Sequence, residues 1–257
     1  MTPPSLSVVV PAYNEAEEIP TIVPAVLDVL RVREGTWELI VVDNASEDDT
    51  VARMAPFLED PRVRLIRNER NRGKGYSVRR GMLAATGELR LMCDADCTPS
   101  LSSLPALEAM IVKADIVAGA RNAATSQVER YQPIERRAAS LAFIFLCRRI
   151  MGEPLRDVFC GFKLFTAAAA EDVFSRSQID GWAFDAETLA MARALGYRVA
   201  PCGIVWTHRP GSRLSVPRIM IPVLRELIAT RTRLKGAVAR PGINTAEKLA
   251  SAPGPRR

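Results

Sequence analysis

The sequence predicts an α/β fold with a mostly parallel sheet and helices on both of its faces. Along residues 6–120, short apolar runs alternate with segments whose apolar positions recur at helical spacing. Four of the predicted strands lead directly into clusters of polar residues. Because ligands in parallel sheets bind beyond the carboxyl ends of the strands, these clusters predict a binding site along one rim of the sheet.

Each predicted element has its own local pattern. Short runs rich in Val, Ile and Leu, bounded by polar residues or glycine, predict strands at Leu6–Pro11, Trp37–Val42, Arg62–Arg67, Glu88–Cys93 and Asp115–Ala120. Apolar residues three or four positions apart predict helices at Glu18–Val32, Asp49–Leu58, Lys74–Ala85 and Leu101–Lys113. Gly87 follows the third helix, as glycine commonly does at a helix end. The alternation of strand and helix is what predicts parallel strands.

Length and composition fit one large domain. The 257 residues are 48% apolar, which is enough for a full core. The longest apolar candidate, Ala138–Cys147, is too short to cross a bilayer, and Met1–Ser5 lacks the charged and apolar regions of a secretory signal. The five cysteines have the spacing of neither a disulfide framework nor a zinc site. We therefore expect a cytoplasmic protein.

Two aspartates, Asp94 and Asp96, follow the predicted strand Glu88–Cys93 directly. Carboxylates separated by one residue at the end of a strand can point into the same crevice. Hard divalent cations such as Mg2+ and Mn2+ take oxygen ligands and are held by one or two carboxylates together with substrate phosphates. The pair predicts a metal site for a diphosphate, although a solvated turn would have the same sequence.

Further polar residues on the predicted rim suit a nucleotide. Asp43 and Glu15 end the second and first strands, where they are placed for a base or a ribose; neighbouring asparagines there could equally cap helices. Lys74 lies in a glycine-flanked turn that opens a helix, so backbone donors and an ammonium face the same space. That turn can bind a diphosphate or simply cap the helix.

Eight motifs appear in one order along residues 6–216. They are VVVPAYNE (Val8–Glu15), VVDNASEDDT (Val41–Thr50), NRGKGYSVRRGM (Asn71–Met82), MCDADCTP (Met92–Pro99), DIVAGAR (Asp115–Arg121), DVFCGFKLF (Asp157–Phe165), GWAFDAET (Gly181–Thr188) and WTHRPGSRLS (Trp206–Ser215). In this order they resemble family 2 glycosyltransferases of the GT-A fold, specifically the polyprenyl-phosphate sugar synthases. The resemblance implies a Rossmann-like sheet and metal-dependent, inverting transfer of a hexose from a nucleotide sugar to polyprenyl phosphate.

The resemblance also implies roles for residues of these motifs. Asp94 and Asp96 would be the catalytic metal ligands for Mg2+ or Mn2+. The nucleotide sugar would be bound by Pro11, Tyr13, Glu15, Asp43, Lys74, Asp94 and Ala95.

The acceptor side is expected around four residues, Arg121, Arg209, Ser212 and Arg213, which resemble a lipid-phosphate clamp. Guanidinium forks match phosphate oxygens bidentately. Asp185 is a third catalytic candidate. A phosphate nucleophile is already ionised near neutral pH and needs no strong base. Asp185 could therefore orient the acceptor or join a network with Asp157, as alternatives to acting as a base.

The C-terminal part of the chain is strongly basic. Between Arg209 and Arg240 there are eight basic residues and one acid, Glu226. Apolar residues at helical spacing over residues 216–235 predict a basic amphipathic helix at an anionic membrane; packing on the sheet or in a dimer is the alternative. We expect a catalytic domain at 1–215, the interfacial helix at 216–240 and a disordered tail at 241–257. The enzyme would then be peripheral at the cytoplasmic face of the membrane.

The donor and the acceptor leave alternatives open. The NRGKGYSVRRGM turn resembles dolichyl-phosphate glucose synthases more than the mannose enzymes, which favours UDP-glucose over GDP-mannose and leaves UDP-N-acetylhexosamine open. A soluble glycosyltransferase with a small phosphorylated acceptor, such as the glucosyl-3-phosphoglycerate synthases, is the second hypothesis. A non-catalytic nucleotide-sugar-binding module is the third. No nucleic-acid-binding motif appears, and the sequence predicts no particular oligomeric state.

Overall fold

The computed structural model describes residues 3–95, 98–121, 123–130, 144–152, 157–207 and 216–238. In these residues the strands are β1 (Leu6–Ala12), β2 (Trp37–Asp43), β3 (Val63–Arg67), β4 (Leu89–Cys93), β5 (Ile116–Ala120), β6 (Gln127–Arg130), β7 (Phe162–Thr166), β8 (Val199–Gly203) and β9 (Val205–Thr207). Seven of them form one sheet in the order β3-β2-β1-β4-β7-β5-β8, and β6 pairs with β9.

The large sheet is mostly parallel, as predicted. β1 pairs in parallel with both β2 and β4, and β5 pairs in parallel with β8. Only β7 runs against its neighbours β4 and β5 in the described sheet. The carboxyl ends of β1, β2, β4 and β5 therefore lie at the same edge, which is the rim where the polar clusters were expected.

Helices cover both faces of the sheet. They are α1 (Ile19–Val32), α2 (Thr50–Met54), α3 (Lys74–Ala84), α4 (Leu104–Ile111), α5 (residues 144–151), α6 (Ala167–Arg176), α7 (Phe184–Ala194) and α8 (Val216–Val238). One core lies between the sheet and α1 and α4; the other lies between the sheet and α3, α6 and α7. Successive residues of β1 alternate between the cores, since Val8 and Val10 point to the first and Val9 to the second.

Prolines shorten two of the predicted helices. The helix expected at Asp49–Leu58 is α2 followed by a 3-10 turn, Ala55–Phe57, with Pro56 in its first positions. The helix expected at Leu101–Lys113 begins three residues later, where Pro105 enters the first turn of α4. Proline lacks the backbone N–H that a helix interior needs and is tolerated only in the first turn.

The cysteines behave as small buried residues. The four that are described, Cys93, Cys147, Cys160 and Cys202, are buried and unpaired with one another. Burial raises the pKa of Cys160 to about 12, so its thiol stays protonated near neutral pH. The expectation that these residues form no disulfide framework holds for the described part of the chain.

The C-terminal helix α8 spans the segment predicted to be helical, but part of its apolar face is buried. Val223 and Leu227 belong to the core that α7 lines, and Thr230 is buried beside them. Part of the apolar face is therefore packed on the domain, while an interfacial position of the helix stays a prediction. No helix in the described ranges is long and apolar enough to span a membrane. The predicted tail, 241–257, lies outside the described residues.

Candidate active site

The loops after β1 and β2 are joined into one structure at the rim. The backbone N–H of Asn14 donates to Ser46 Oγ at 2.9 Å, and the Asn14 side chain accepts from the N–H of Glu47 at 2.9 Å. Asn14 and Ala45 both have left-handed backbone, with φ of 52° and 59°. Asparagine tolerates this conformation, and the hydrogen bond that its side chain accepts from Glu47 connects the two loops.

The predicted nucleotide residues of β1 and β2 differ in accessibility. Pro11 and Asp43 are buried within their strands, whereas Tyr13 is exposed and Glu15 is partly exposed. The Asp43 carboxylate accepts from the N–H of Ser46 at 3.2 Å and lies 3.7 Å from Arg67 Nε. Tyr13 and Glu15 are therefore the ones that solvent reaches directly. Nucleotide contact by these four residues stays a prediction.

An amide network that the sequence did not reveal holds the turn before α3. Asn68 Nδ2 donates to Asn44 Oδ1 at 2.9 Å, and Asn44 Nδ2 donates to Asn71 Oδ1 at 2.8 Å. The same Asn44 oxygen accepts the backbone N–H of Arg72 at 3.2 Å. These amides, of which Asn44 and Asn68 are buried, connect the end of β2 to the turn that presents Lys74. The asparagines are visible in the sequence, but only the pairing of β2 with β3 brings them together.

Lys74 and Asp94 meet at the centre of the site. Lys74 Nζ lies 2.5 Å from Asp94 Oδ2, although 20 residues separate them in the chain. The backbone N–H of Asp94 donates to the carbonyl of Gly161 at 2.8 Å. A Cβ at position 161 would stand 1.7 Å from Asp94 Oδ2, so only glycine leaves room for this carboxylate. The sequence indicated both charged residues but not the glycine beneath them.

The amino end of α3 packs closely against residues 178–182, which we call the 178–182 loop. A Cβ on Gly73 would lie 2.4 Å from the Asp180 carbonyl, and one on Gly75 would lie 2.5 Å from the Ile179 carbonyl. Gly73 also has a φ of 104°, which side-chain-bearing residues rarely adopt. The two glycines flanking Lys74 are thus required by the approach of this loop, as well as by the turn.

One carboxylate of the predicted metal pair is in place. Asp94 lies at the carboxyl end of β4 and is partly exposed, while the buried Ala95 follows it. Asp96 lies outside the described residues. Within the described ranges no group of three or more metal-ligating side chains occurs. A Mg2+ or Mn2+ ion that takes one or two carboxylates and completes its shell with a diphosphate fits this donor set.

On the acceptor side, Arg121 makes a forked ion pair with Asp157. Its Nε and Nη2 lie 2.8 Å and 2.7 Å from the two carboxylate oxygens, and its backbone N–H donates to the same group at 2.8 Å. Burial favours a raised pKa for Asp157, but the charge and hydrogen bonds of Arg121 outweigh it and hold this pKa below its ordinary value. The other predicted acceptor residues, Arg209, Ser212 and Arg213, lie outside the described residues.

Asp185 is part of a buried ion pair. Lys163 on β7 donates to Asp185 Oδ1 and, at 2.6 Å, to the carbonyl of Cys160. Both side chains of the pair are buried. Lys163 also lowers the pKa of Asp157, although burial and Arg121 act on it more strongly. Whether Asp185 acts as a base, orients the acceptor or joins a network with Asp157 stays a prediction.

Glu187 is a buried residue for which the sequence indicated no role. Its Oε2 accepts the backbone N–H groups of Gln178 at 2.9 Å and Ile179 at 2.8 Å, and its Oε1 lies 3.1 Å from Arg233 Nη2 on α8. Arg233 also donates to the side chain of Gln178. Glu187 thereby fastens the 178–182 loop to both α7 and α8. The acid is in the GWAFDAET motif, but its partner is 46 residues away.

Comparisons with known proteins agree with this architecture. A model of the family described as Glycosyl transferase family 2 matches residues 7–174. The dolichyl-phosphate beta-glucosyltransferase of Mus musculus is 34% identical over 248 residues, covering 90% of this chain and 76% of the relative. The enzyme of the same name from Dictyostelium discoideum is 30% identical over 242 residues, covering 89% of this chain and 74% of the relative.

Solved structures show the same fold at low sequence identity. Glucosyl-3-phosphoglycerate synthase from Mycobacterium tuberculosis, in complex with Mn2+, uridine-diphosphate and phosphoglyceric acid, has a TM-score of 0.64 at 21% identity, covering 91% of this chain and 79% of that one. The mannosyltransferase PcManGT from Pyrobaculum calidifontis, in complex with GDP-Man and Mn2+, has a TM-score of 0.58 at 18% identity, covering 98% and 79%. With the family match and the dolichyl-phosphate relatives, the chain belongs to glycosyl transferase family 2 and is a glycosyltransferase.

Proposed function

We propose that this enzyme transfers glucose from UDP-glucose to a polyprenyl phosphate, with inversion at the anomeric carbon. The contact between Lys74 and Asp94 above Gly161 is the observation that carries the donor side, because it places an ammonium and a carboxylate together at the end of β4. The names of the similar dolichyl-phosphate beta-glucosyltransferases support both the sugar and the class of acceptor.

On the donor side, residues at the rim would bind the nucleotide sugar in order along the sheet. Tyr13, Glu15 and Asp43, with Pro11 beneath them, are proposed for the base and ribose. Lys74, at the amino end of α3, supplies positive charge for the diphosphate. Asp94 and Asp96 would hold Mg2+ or Mn2+, and the bound ion would neutralise the negative charge that develops on the leaving nucleoside diphosphate.

On the acceptor side, Arg121, Arg209, Ser212 and Arg213 are proposed to hold the lipid phosphate. A phosphate oxygen attacks the anomeric carbon while the bond from that carbon to the diphosphate oxygen breaks. A doubly ionised phosphate monoester becomes a singly charged diester, so no proton has to leave. Because Asp185 is already paired with the buried Lys163, we assign it to positioning the acceptor side instead of accepting a proton.

We also propose that residues 216–240 hold the enzyme at the cytoplasmic face of an anionic membrane, beside a catalytic domain at 1–215. Arg225 and Arg231 of α8 are exposed, as is Ile228, at 56%. The neighbouring helix α5 presents Phe145, 65% exposed, and Leu146; the two helices touch where Arg231 Nη1 approaches the Arg149 carbonyl at 3.4 Å. Apolar side chains among arginines are typical of surfaces that lie in a membrane interface.

The test is a panel of donors against acceptors. Purified enzyme with Mn2+ or Mg2+ would receive radiolabelled UDP-glucose, GDP-mannose or UDP-N-acetylglucosamine together with polyprenyl phosphate or 3-phosphoglycerate. We expect organic-soluble label with UDP-glucose and polyprenyl phosphate alone, and none in EDTA. Label in the water-soluble 3-phosphoglycerate product would instead support the soluble alternative, whose named example shares this fold. Transfer from another donor would correct the sugar only.

A further inference from the structure

Trp182 stands beside the proposed diphosphate site without being used by it. The residue belongs to the 178–182 loop, and 42% of its surface is exposed. Its ring centroid lies 5.2 Å from Lys74 Nζ, the same ammonium that contacts Asp94. Lys74 Nζ therefore contacts both the indole ring of Trp182 and the carboxylate of Asp94, which is proposed to hold the metal.

The loop that carries Trp182 is held in place on three sides. Gly73 and Gly75 leave room for its backbone, and Glu187 accepts two of its N–H groups. On the third side, a Cβ on Gly181 would lie 3.2 Å from the Glu226 carboxylate of α8. Another tryptophan, Trp37, is only 5% exposed and fills the core on β2. Trp182, by contrast, is an exposed indole on a backbone that these contacts hold, which lowers the cost of ordering the loop when a substrate binds.

Its position relative to the sheet indicates which part of the donor it would meet. The base and ribose are proposed at the ends of β2 and β1, and the diphosphate at Lys74 and Asp94. Trp182 lies two residues before α7, whose first residue, Phe184, lies close to Gly75 beside Lys74. From there α7 extends to β8, at the opposite edge of the sheet from β3. In a donor that runs from the nucleoside across the diphosphate, the hexose comes next in this direction.

We propose that Trp182 is the aromatic platform against which the transferred hexose packs. The inference rests on the proposed function and specifies its sugar subsite. The C–H groups of a pyranose carry partial positive charge, and more develops at the ring during glycosyl transfer. Both are attracted to the negative face of an indole, which in this protein already faces a cation.

The substitutions Trp182→Ala and Trp182→Phe test this assignment by calorimetry with Mn2+. We expect Trp182→Ala to weaken UDP-glucose binding about tenfold while leaving UDP binding unchanged, and Trp182→Phe to keep most of the affinity. Trp37→Phe is the matched control, because this tryptophan lies at the amino end of β2, away from the rim. It should leave the ratio of the two affinities unchanged.

Tryptophan emission gives a second measurement that does not depend on Trp182→Ala being folded. UDP-glucose should change the emission of the native enzyme more than UDP does, and this difference should be absent in Trp182→Phe. Equal effects of Trp182→Ala on UDP and UDP-glucose, or a loss confined to the KM of polyprenyl phosphate, would overturn the sugar platform. If the native enzyme binds no nucleotide sugar, the proposed function fails as well, which is a distinct result.

Discussion

The two sides of the active site are built differently. The nucleotide side consists of loops at the ends of neighbouring parallel strands, joined by backbone hydrogen bonds and amides such as Asn14 and Asn44. The opposite side is held by ion pairs between distant elements, Lys163 with Asp185 and Glu187 with Arg233. Strand pairing fixes the first side, whereas single buried charges fix the second. We therefore expect substitutions on the second side to cost more folding stability.

The largest effect is expected at the Lys163–Asp185 pair. Lys163→Met or Asp185→Asn leaves one buried partner uncompensated and should lower the free energy of unfolding by about 3–5 kcal/mol. The double variant Lys163→Met/Asp185→Leu removes both charges and should recover much of that loss. Urea denaturation measures all three variants. A stable Asp185→Asn enzyme whose kcat alone collapses would make Asp185 a base and contradict the positioning role.

The second effect concerns the nucleotide side and should appear in activity. Gly161→Ala places a Cβ where the Asp94 carboxylate lies, so this carboxylate must move away from Lys74. A displacement of about 1 Å can cost on the order of 100-fold in rate, and we expect such a loss in kcat/KM. Asp94→Asn should be at least as damaging while leaving the melting temperature close to native. Native activity in a folded Gly161→Ala enzyme would show that the carboxylate position is unimportant.

This contrast also explains what the sequence could predict. The strand ends were predictable because short apolar runs mark buried strands, and a polar residue after each run must lie at the rim. Asp94 was recognised in this way and Lys74 from its glycine-flanked turn, and the structure brings them to 2.5 Å. Gly161 and the anchoring role of Glu187 were missed, because Gly161 faces Asp94 and Glu187 pairs with Arg233, and both partners are far away in the chain. No local pattern encodes a partner 46 residues distant.

The third effect separates two kinds of arginine on α8. Arg233 pairs with the buried Glu187, so Arg233→Ala should lower the free energy of unfolding by about 1.5–3 kcal/mol. Arg225 and Arg231 are exposed, and replacing both with Glu should leave the melting temperature nearly unchanged. This second variant should bind phosphatidylglycerol vesicles more weakly than the native protein does at low salt.

The vesicle measurement has a clear opposite outcome. If the native protein does not sediment with anionic vesicles at low salt, α8 is a packing element and the proposed membrane contact is wrong. If Arg233→Ala and the Arg225/Arg231 variant lose the same amount of stability, the predicted difference between the paired Arg233 and the exposed Arg225 and Arg231 is wrong.

The smallest effect is a pH dependence at Glu226, where α8 meets the 178–182 loop. Burial and the nearby charges of Glu187 and Asp180 raise the pKa of Glu226 above its ordinary value of 4.5. This carboxyl binds its proton more tightly in the folded state than in the unfolded state. At a pH above the folded-state pKa, its ionised form therefore destabilises the folded protein. Stability from this residue is therefore gained as pH falls through the raised pKa toward 4.5.

Glu226→Gln removes this penalty and should raise the melting temperature at pH 8, with a gain that shrinks as the pH is lowered toward 4.5, because the native carboxyl takes up a proton as the pH falls through its raised pKa. Thermal unfolding at both values measures the effect, and Glu17→Gln, at an exposed glutamate, is the control that should change neither. A lower melting temperature for Glu226→Gln at pH 8 would mean that the ionised carboxylate is stabilised by a cation. The junction of α8 with the loop would then be held by charge attraction throughout, and repulsion at Glu226 would have no part in it.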